Sequence, residues 1–158
     1  MRTRLVLALP PLLLAAVALP ATAPAKAPAR PAIERLPQVT AGNRTLPFSE
    51  GVRVGDVLYL SGQIGVAADG TIPPGFEPQA RLALDHVTAS LKKAGLGWKD
   101  VTRCLVMLKD MADWPAFNSI YAAYVDPANL PARSAIGASG LALGALVEVQ
   151  CDAYSPVK

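Results

Sequence analysis

Histidine is scarce in this sequence, and its scarcity narrows the chemistry that the chain can perform. His86 is the one histidine among 158 residues, and the apolar spacing around it predicts a solvated position on a helix. A Ser-His-Asp or Cys-His arrangement would depend on this side chain, so catalysis of that kind is disfavoured. The two cysteines, Cys104 and Cys151, are too far apart in sequence for metal-ligand spacing, so we expect no metal site.

The chain also lacks the usual signatures of nucleotide and nucleic-acid binding. It contains neither a GxGxxG nor a GxxxxGK[ST] loop, so we expect no nucleotide cofactor and assign no cofactor of any other kind. The formal net charge is +3, but four of the 15 basic residues precede residue 31 and all 12 acidic residues follow it. The remainder is therefore close to neutral, without the basic, aromatic-interleaved block that phosphate binding needs.

The first residues have the form of a secretory signal. A short basic start is followed by an apolar run over residues 5–20 and by small residues over 21–25. Pro10 and Pro11 interrupt the run, which disfavours a transmembrane helix. We predict a signal peptide over residues 1–25 and a periplasmic or secreted mature protein without a stable membrane anchor.

Proline marks the next boundary. Eight of the 15 prolines precede residue 48, so residues 26–46 are predicted to be an extended linker. The remaining residues, 47–158, are enough for one hydrophobic core and leave no room for a second. We therefore assign them to a single domain.

The first part of this domain predicts a β-hairpin and then a helix. Segments 51–54 and 57–61 flank the two-residue loop Gly55-Asp56. The helix begins at Pro78 and ends before Gly95. Its apolar face recurs at three- and four-residue steps over Leu84, Val87, Leu91 and Ala94.

The second part predicts a strand, a helix and two further strands. Residues 101–108 and 145–153 are apolar runs, and each holds one cysteine, either as two buried thiols or as a disulfide if the strands are adjacent. Asp113 is the predicted cap of the second helix, and Pro115 lies in its first turn. The predicted apolar face of this helix comprises Phe117, Ile120, Tyr121 and Tyr124.

This order of elements predicts an α+β fold with two helices on one face of a sheet. The strands are interpreted as apolar on both sides, yet two helices can cover only one face. An uncovered apolar face favours an oligomer whose sheets pack together.

Arg133 and Glu148 are the candidate reactive residues. Arg133 follows Pro131 and leads into apolar chain, and its guanidinium can bind a small carboxylate through two hydrogen bonds. A surface salt bridge is the alternative for Arg133. Burial of Glu148 would raise its pKa and suit it to general acid or base catalysis. The alternative for Glu148 is an ion pair at a strand end.

Several separated blocks resemble one protein family in the same order. The blocks are Val54-Gly-Asp-Val-Leu-Tyr-Leu-Ser-Gly-Gln-Ile64, residues 106–110, Asn118-Ser-Ile-Tyr121, Pro131-Ala-Arg-Ser134 and Val147-Glu-Val149. They resemble the Rid family of reactive-intermediate (enamine/imine) deaminases, over residues 46–154. The resemblance implies a chorismate-mutase-like fold with a mostly antiparallel sheet, a homotrimer with clefts between subunits, and no cofactor.

The resemblance also implies roles for individual residues. Arg133 would hold the substrate carboxylate and Glu148 would position or activate the hydrolytic water. Ser61 and Gly62 would line the cleft, with Asn118 close to it. The implied reaction converts a 2-imino acid, or its enamine tautomer, to a 2-oxo acid and ammonia.

Two positions depart from the family pattern. Phe48 stands where many members carry a tyrosine, and Ala135 stands where the archetype often has a cysteine. Both are substrate-binding candidates without a polar group. They motivate an alternative function, a non-catalytic module that binds small carboxylates or a partner.

Overall fold

A computed structural model describes residues 30–41 and 44–156, which build a seven-stranded sheet, a separate two-stranded sheet and two helices. The strands are β1 (Ile33–Arg35), β2 (Gln38–Ala41), β3 (Arg44–Ser49), β4 (Gly51–Val54), β5 (Val57–Leu60), β6 (Gln63–Ile64), β7 (Val101–Leu108), β8 (Ala132–Gly137) and β9 (Val147–Tyr154). The helices are α1 (Phe76–Lys93) and α2 (Trp114–Tyr121). The predicted signal peptide lies outside the described residues.

The main sheet has the strand order β1–β4–β5–β9–β7–β8, and β6 also pairs with β9. Of the strand pairs that the structure describes, β7–β8 is parallel and the others are antiparallel. Both helices bury their apolar residues against the same sheet face. The predicted α+β fold with a mostly antiparallel sheet and two helices on one face is confirmed. No helix of the described ranges has the length and hydropathy to cross a membrane.

The hairpin and the first helix form where the sequence predicts them. Val54 pairs with Val57 across the predicted loop, and Gly55 has a φ of 57°, a conformation that costs glycine little. Helix α1 begins two residues before Pro78, which lies in its first turn. The structure also forms strands over Ile33–Arg35 and Gln38–Ala41, inside the segment that the sequence assigned to the linker.

The predicted cap of the second helix is right in its position but lacks the expected hydrogen bond. Asp113 stands at the N-terminal boundary of α2 but its side chain makes no capping hydrogen bond. Asp110 instead accepts a hydrogen bond from the Ala112 N–H, 2.9 Å away, at the short 3₁₀ turn that precedes α2. This turn leads directly into α2, so the side-chain hydrogen bond lies one turn before Asp113.

Strand β9 departs from the expectation that the strands are apolar on both sides. Strand β9 alternates strictly, with Val147, Val149, Cys151 and Ala153 buried under the helices. Glu148, Gln150 and Asp152 point to the other face, which we call the open face. Antiparallel strands with one covered face show this alternation, because one side packs on the core and the other meets water.

Cys104 and Cys151 form a disulfide between β7 and β9. The two residues are register partners whose Cα atoms are 4.1 Å apart, and both are buried. Of the two states that the sequence left open, the structure has the bonded one. For a separation of 47 residues, the chain-entropy model assigns about 4 kcal/mol of stabilisation to such a link.

Gln79 links three parts of the fold, although its sequence context does not mark it. This residue of α1 is 3% exposed. Its Nε2 donates to the Pro73 carbonyl at 2.8 Å, and its Oε1 accepts from the Leu146 N–H at 2.8 Å. The Gly65 backbone packs against the backbone of the same residue. Gln79 therefore fixes the 65–75 loop and the entry to β9 against α1.

We expect Gln79→Leu to lower the free energy of unfolding by about 2 kcal/mol, because the Leu146 N–H and the Pro73 carbonyl would lose their partner. Urea unfolding followed by circular dichroism measures the change. Gln38→Leu is the matched control, since the Gln38 amide also donates to a backbone carbonyl, that of Leu46, but at an exposed position. Equal losses in the two variants would contradict the assigned role of Gln79.

Candidate functional site

Arg133 is positioned by the crossover from β7 through α2 to β8. Because β8 runs parallel to β7, the chain must pass over the sheet between them, and α2 forms this passage. Arg133 is the second residue of β8 and pairs in register with Cys104, which is buried under the helices. Its side chain therefore points to the helix-covered face, toward α2.

The guanidinium of Arg133 is held by one hydrogen bond and by aromatic rings of α2. Its Nη2 donates to Asn118 Oδ1 at 2.6 Å. Its Cζ lies 4.5 Å from the ring centroids of both Trp114 and Tyr121, within the range of cation–π contacts. Within the described residues, no acceptor takes the other guanidinium N–H groups and no carboxylate pairs with Arg133. The surface salt bridge considered from the sequence is thus not formed within the described chain.

Sequence reasoning missed Trp114 and Tyr121 as neighbours of the reactive arginine. Residues 114, 117 and 121 follow helical spacing, which is also the pattern of an ordinary apolar helix face. The signal that could have found them is their position between a buried strand and the Pro-Ala-Arg-Ser motif, because a parallel crossover must place that helix over both strands. We call Arg133, Asn118, Trp114 and Tyr121 the arginine half-site.

A pocket with a volume of about 430 Å³ opens beside the arginine half-site. Its wall consists of Trp114, Asn118, Tyr121, Ala122, Val125, Leu130, Pro131 and Arg133. Arg133 is the charged residue of this described wall, so the pocket offers a bound carboxylate one cationic partner. A small anionic ligand can therefore contact the guanidinium from this side.

Glu148 is half-buried on the open face, and burial raises the pKa of its carboxyl group. Strand β6 brings Gly62 against it, so closely that any side chain at residue 62 would collide with the carboxylate. Among the described residues, no side chain or backbone N–H donates a hydrogen bond to Glu148. A carboxyl group with a raised pKa and free lone pairs suits general acid or base catalysis near neutral pH.

Ser61 adjoins this carboxylate through Gly62. The Ser61 hydroxyl donates to the Ser49 carbonyl at 2.7 Å, which ties it to the end of β3. Phe48, the residue before Ser49 on β3, is 45% exposed. We call Glu148, Gly62 and Ser61 the glutamate half-site.

Ala135 belongs to the other half of the molecule. It lies two residues after Arg133 on β8, on the same face of the strand, and it packs against the hydrophobic core. The structure therefore divides the predicted residues into two groups, Arg133 with Asn118 and Ala135, and Glu148 with Gly62 and Ser61.

Within one chain, the two candidate reactive residues Arg133 and Glu148 do not lie together. Cys104 of β7 pairs with Arg133, whereas Met107 of β7 pairs with Glu148. The offset of three residues is odd, so the two side chains point to opposite faces of the sheet. At about 3.3 Å per residue and about 4.8 Å per strand, their Cα atoms are roughly 14 Å apart.

His86 is more enclosed than the sequence predicted. Its Nδ1 lies 3.0 Å from the Ile64 carbonyl, and its ring is half-buried between α1 and β6. The prediction of a solvated histidine is wrong, because β6 covers that side of α1. Across the ranges that the structure describes, no three His, Cys, Asp or Glu side chains are grouped as metal ligands would be.

Comparisons with known proteins agree with this fold. The family model described as endoribonuclease L-PSP matches residues 40–155. A RutC family protein of Synechocystis is 35% identical over 117 residues, 70% of this chain and 87% of that protein. The mouse 2-iminobutanoate/2-iminopropanoate deaminase is 35% identical over 109 residues, 68% of this chain and 80% of its own length.

Solved structures show the same relationship. The Rid family protein YyfA of Yersinia pestis superposes with a TM-score of 0.71 at 30% identity, covering 78% of this chain and 99% of its own. The family match spans most of the chain and includes both half-sites. The chain therefore belongs to the endoribonuclease L-PSP family, which includes the RutC and Rid proteins.

Proposed function

We propose that this protein hydrolyses small 2-imino acids, or their enamine tautomers, to 2-oxo acids and ammonia. The observation that carries the proposal is the arginine half-site, where Asn118 and two rings hold a guanidinium in a pocket wall and no carboxylate of the described residues pairs with it. Such a group is prepared to bind a substrate carboxylate. The deaminase name of the mouse relative supports the same reaction class.

In the mechanism that we propose, Arg133 binds the substrate and Glu148 transfers the proton. Arg133 binds the substrate carboxylate and fixes the imine carbon. Glu148 takes a proton from water as the water oxygen bonds to that carbon, and the imine nitrogen gains a proton. The resulting carbinolamine loses ammonia when the hydroxyl proton moves to nitrogen, and its oxygen becomes the carbonyl of the 2-oxo acid.

This mechanism needs two chains, and we propose a homotrimer with one site at each subunit contact. Arg133 and Glu148 point to opposite sheet faces in a single chain, so Glu148 of one subunit would act on substrate held by Arg133 of its neighbour. Exposed apolar residues on the open face support such a contact. They include Tyr59, Ile136 and Tyr154, which are 46%, 48% and 51% exposed.

The direct test is to generate 2-iminobutanoate or 2-iminopropanoate with an amino-acid oxidase and to follow its disappearance. The protein should accelerate hydrolysis well above the spontaneous rate. Phe48 lacks the hydroxyl of a tyrosine, and Ala135 lacks the thiol of a cysteine, the residues that family members often carry at these positions. Both changes favour the alternative of a binding module without turnover. Carboxylate binding by calorimetry together with no acceleration of any imine would establish that alternative.

The pH dependence should report Glu148. Its protonated form cannot accept a proton from water, so the rate should fall as the pH decreases through the raised pKa of this carboxyl group. We expect this decline at a pH above about 4.3, where an ordinary glutamate titrates. The profile of kcat/KM, corrected for spontaneous hydrolysis, measures it.

Asp152 provides the control for this profile. Burial also raises the pKa of Asp152, although the positive charge of Arg103 partly offsets this shift. Asp152 lies on the open face, as Glu148 does. We expect Asp152→Asn to retain the acid decline and Glu148→Gln to lose it in the residual activity. If Asp152→Asn alone loses the decline, the titrating group is Asp152, and the role assigned to Glu148 is contradicted.

We also propose that the mature protein is exported, as the first 25 residues suggest. The disulfide between Cys104 and Cys151 supports an oxidising compartment, where such bonds persist. Fractionation of the native host, with antibody detection of the mature chain, tests this proposal. Retention in the cytoplasm would contradict it.

A further inference from the structure

The pocket beside Arg133 has more room and more apolar surface than the smallest imino acids need. Its volume is about 430 Å³, within the range of about 300–1,000 Å³ that is usual for ligand pockets. The mouse relative is named for substrates with a methyl or an ethyl side chain. In the proposed trimer a neighbouring subunit closes this pocket, yet the wall supplied by this chain alone offers more contact surface than a carboxylate, an imine and one or two carbons can cover.

The surface that remains beyond the guanidinium is apolar. Val125, Leu130 and Pro131 line it, and Leu130 is 65% exposed. The Oδ1 of Asn118, the amide oxygen in the wall, already accepts a hydrogen bond from Arg133. Leu130 gives up water-exposed apolar area when a hydrocarbon group covers it, and the burial of each methylene of that group favours binding.

Charge in the wall discriminates further among side chains. Arg133 is the charged residue of the described wall and is assigned to the substrate carboxylate. A second carboxylate on the ligand would compete for the same guanidinium, and an amine would be repelled by it. The wall therefore selects uncharged, hydrocarbon side chains.

We infer that the preferred substrates are 2-imino acids with a large hydrocarbon side chain, either branched or aromatic, such as those formed by oxidation of hydrophobic amino acids. This inference rests on the proposed function and adds its substrate class. The carboxylate lies on Arg133, and the side chain covers Val125, Leu130 and Pro131.

The first experiment compares imines of increasing size. An amino-acid oxidase converts alanine, leucine and phenylalanine to their imines, and the protein's kcat/KM is measured for each. We expect kcat/KM for the leucine-derived imine to exceed that for the alanine-derived imine at least about tenfold, since one methylene in an apolar pocket is worth about 10- to 200-fold. Acceleration of the alanine-derived imine alone overturns the inference, whereas no acceleration of any imine overturns the proposed function.

The second experiment fills the pocket from its rim. Ala122 lies in the wall and is exposed, so Ala122→Trp can enter the pocket without disturbing the core. Ala123 is also exposed but does not line the pocket, which makes Ala123→Trp the matched control. Light scattering checks that both variants keep the wild-type mass.

The ratio of kcat/KM for the leucine-derived imine to that for the alanine-derived imine is the readout. We expect this ratio to fall about tenfold in Ala122→Trp, because the indole would exclude the longer side chain first. The ratio should stay within about twofold of wild type in Ala123→Trp. An unchanged ratio in Ala122→Trp, or equal decreases in both variants, overturns the inference.

Discussion

Replacement of Arg133 by alanine is expected to lower kcat/KM for imine hydrolysis about a hundredfold. The carboxylate would lose a charge-assisted pair of hydrogen bonds worth about 3 kcal/mol, and about 1.4 kcal/mol corresponds to a factor of ten. The guanidinium is already oriented by Asn118 and by the rings of Trp114 and Tyr121, so little ordering is required when substrate binds. The oxidase-coupled assay with wild type and variant measures the loss.

Two further variants show whether this loss reflects recognition rather than charge alone. Arg133→Lys keeps the positive charge but not the planar fork or its stacking, so we expect an intermediate loss of about tenfold. Arg81→Ala removes a guanidinium from the exposed face of α1, where it pairs with Glu77, and should leave the rate unchanged. Full activity in Arg133→Ala would refute the assigned role.

The parts of the fold that the sequence predicts well are those that depend on near neighbours. The turn at Gly55-Asp56 and the helix that ends before Gly95 are specified by residues within a few positions of each other. Strand β1 pairs with β4 some twenty residues away along the chain, so its short proline-flanked sequence indicates only an extended segment. Two acidic residues, Asp110 and Asp113, precede α2, and the sequence alone does not show which of them makes the capping hydrogen bond.

For the site, the motifs identify the reactive residues but not their faces. Arg133 and Glu148 are recognisable from the sequence, whereas their relation depends on how β7 pairs with β8 and with β9. A shift of one residue in either pairing would have placed both side chains on one face. The sequence also did not predict the polar open face of β9. Every second residue of this strand is apolar and buried, so the segment as a whole has an apolar composition.

The opposite orientation of the two half-sites makes an inactive pair of variants complementary. Arg133→Ala lacks the carboxylate-binding group and Glu148→Gln lacks the proton acceptor, whose loss is expected to lower the rate about 10²- to 10⁴-fold. When both chains assemble together in a trimer, some subunit contacts combine an intact Arg133 with an intact Glu148. If each site uses one residue from each neighbour, an equal mixture should regain about a quarter of wild-type activity.

Coexpression of the two variants with different affinity tags, followed by purification through both tags in turn, isolates mixed assemblies, and light scattering establishes their mass. Selection for both tags removes uniform trimers and raises the recovered fraction to about a third. The control mixes wild type with the Arg133→Ala/Glu148→Gln double variant. Sites shared between chains give about a third of wild-type activity in the complementation and about a sixth in the control, because selection for both tags also removes the uniform wild-type trimers from the control. Sites contained in one chain give about half of wild-type activity in the control and none in the complementation, which would refute the shared site.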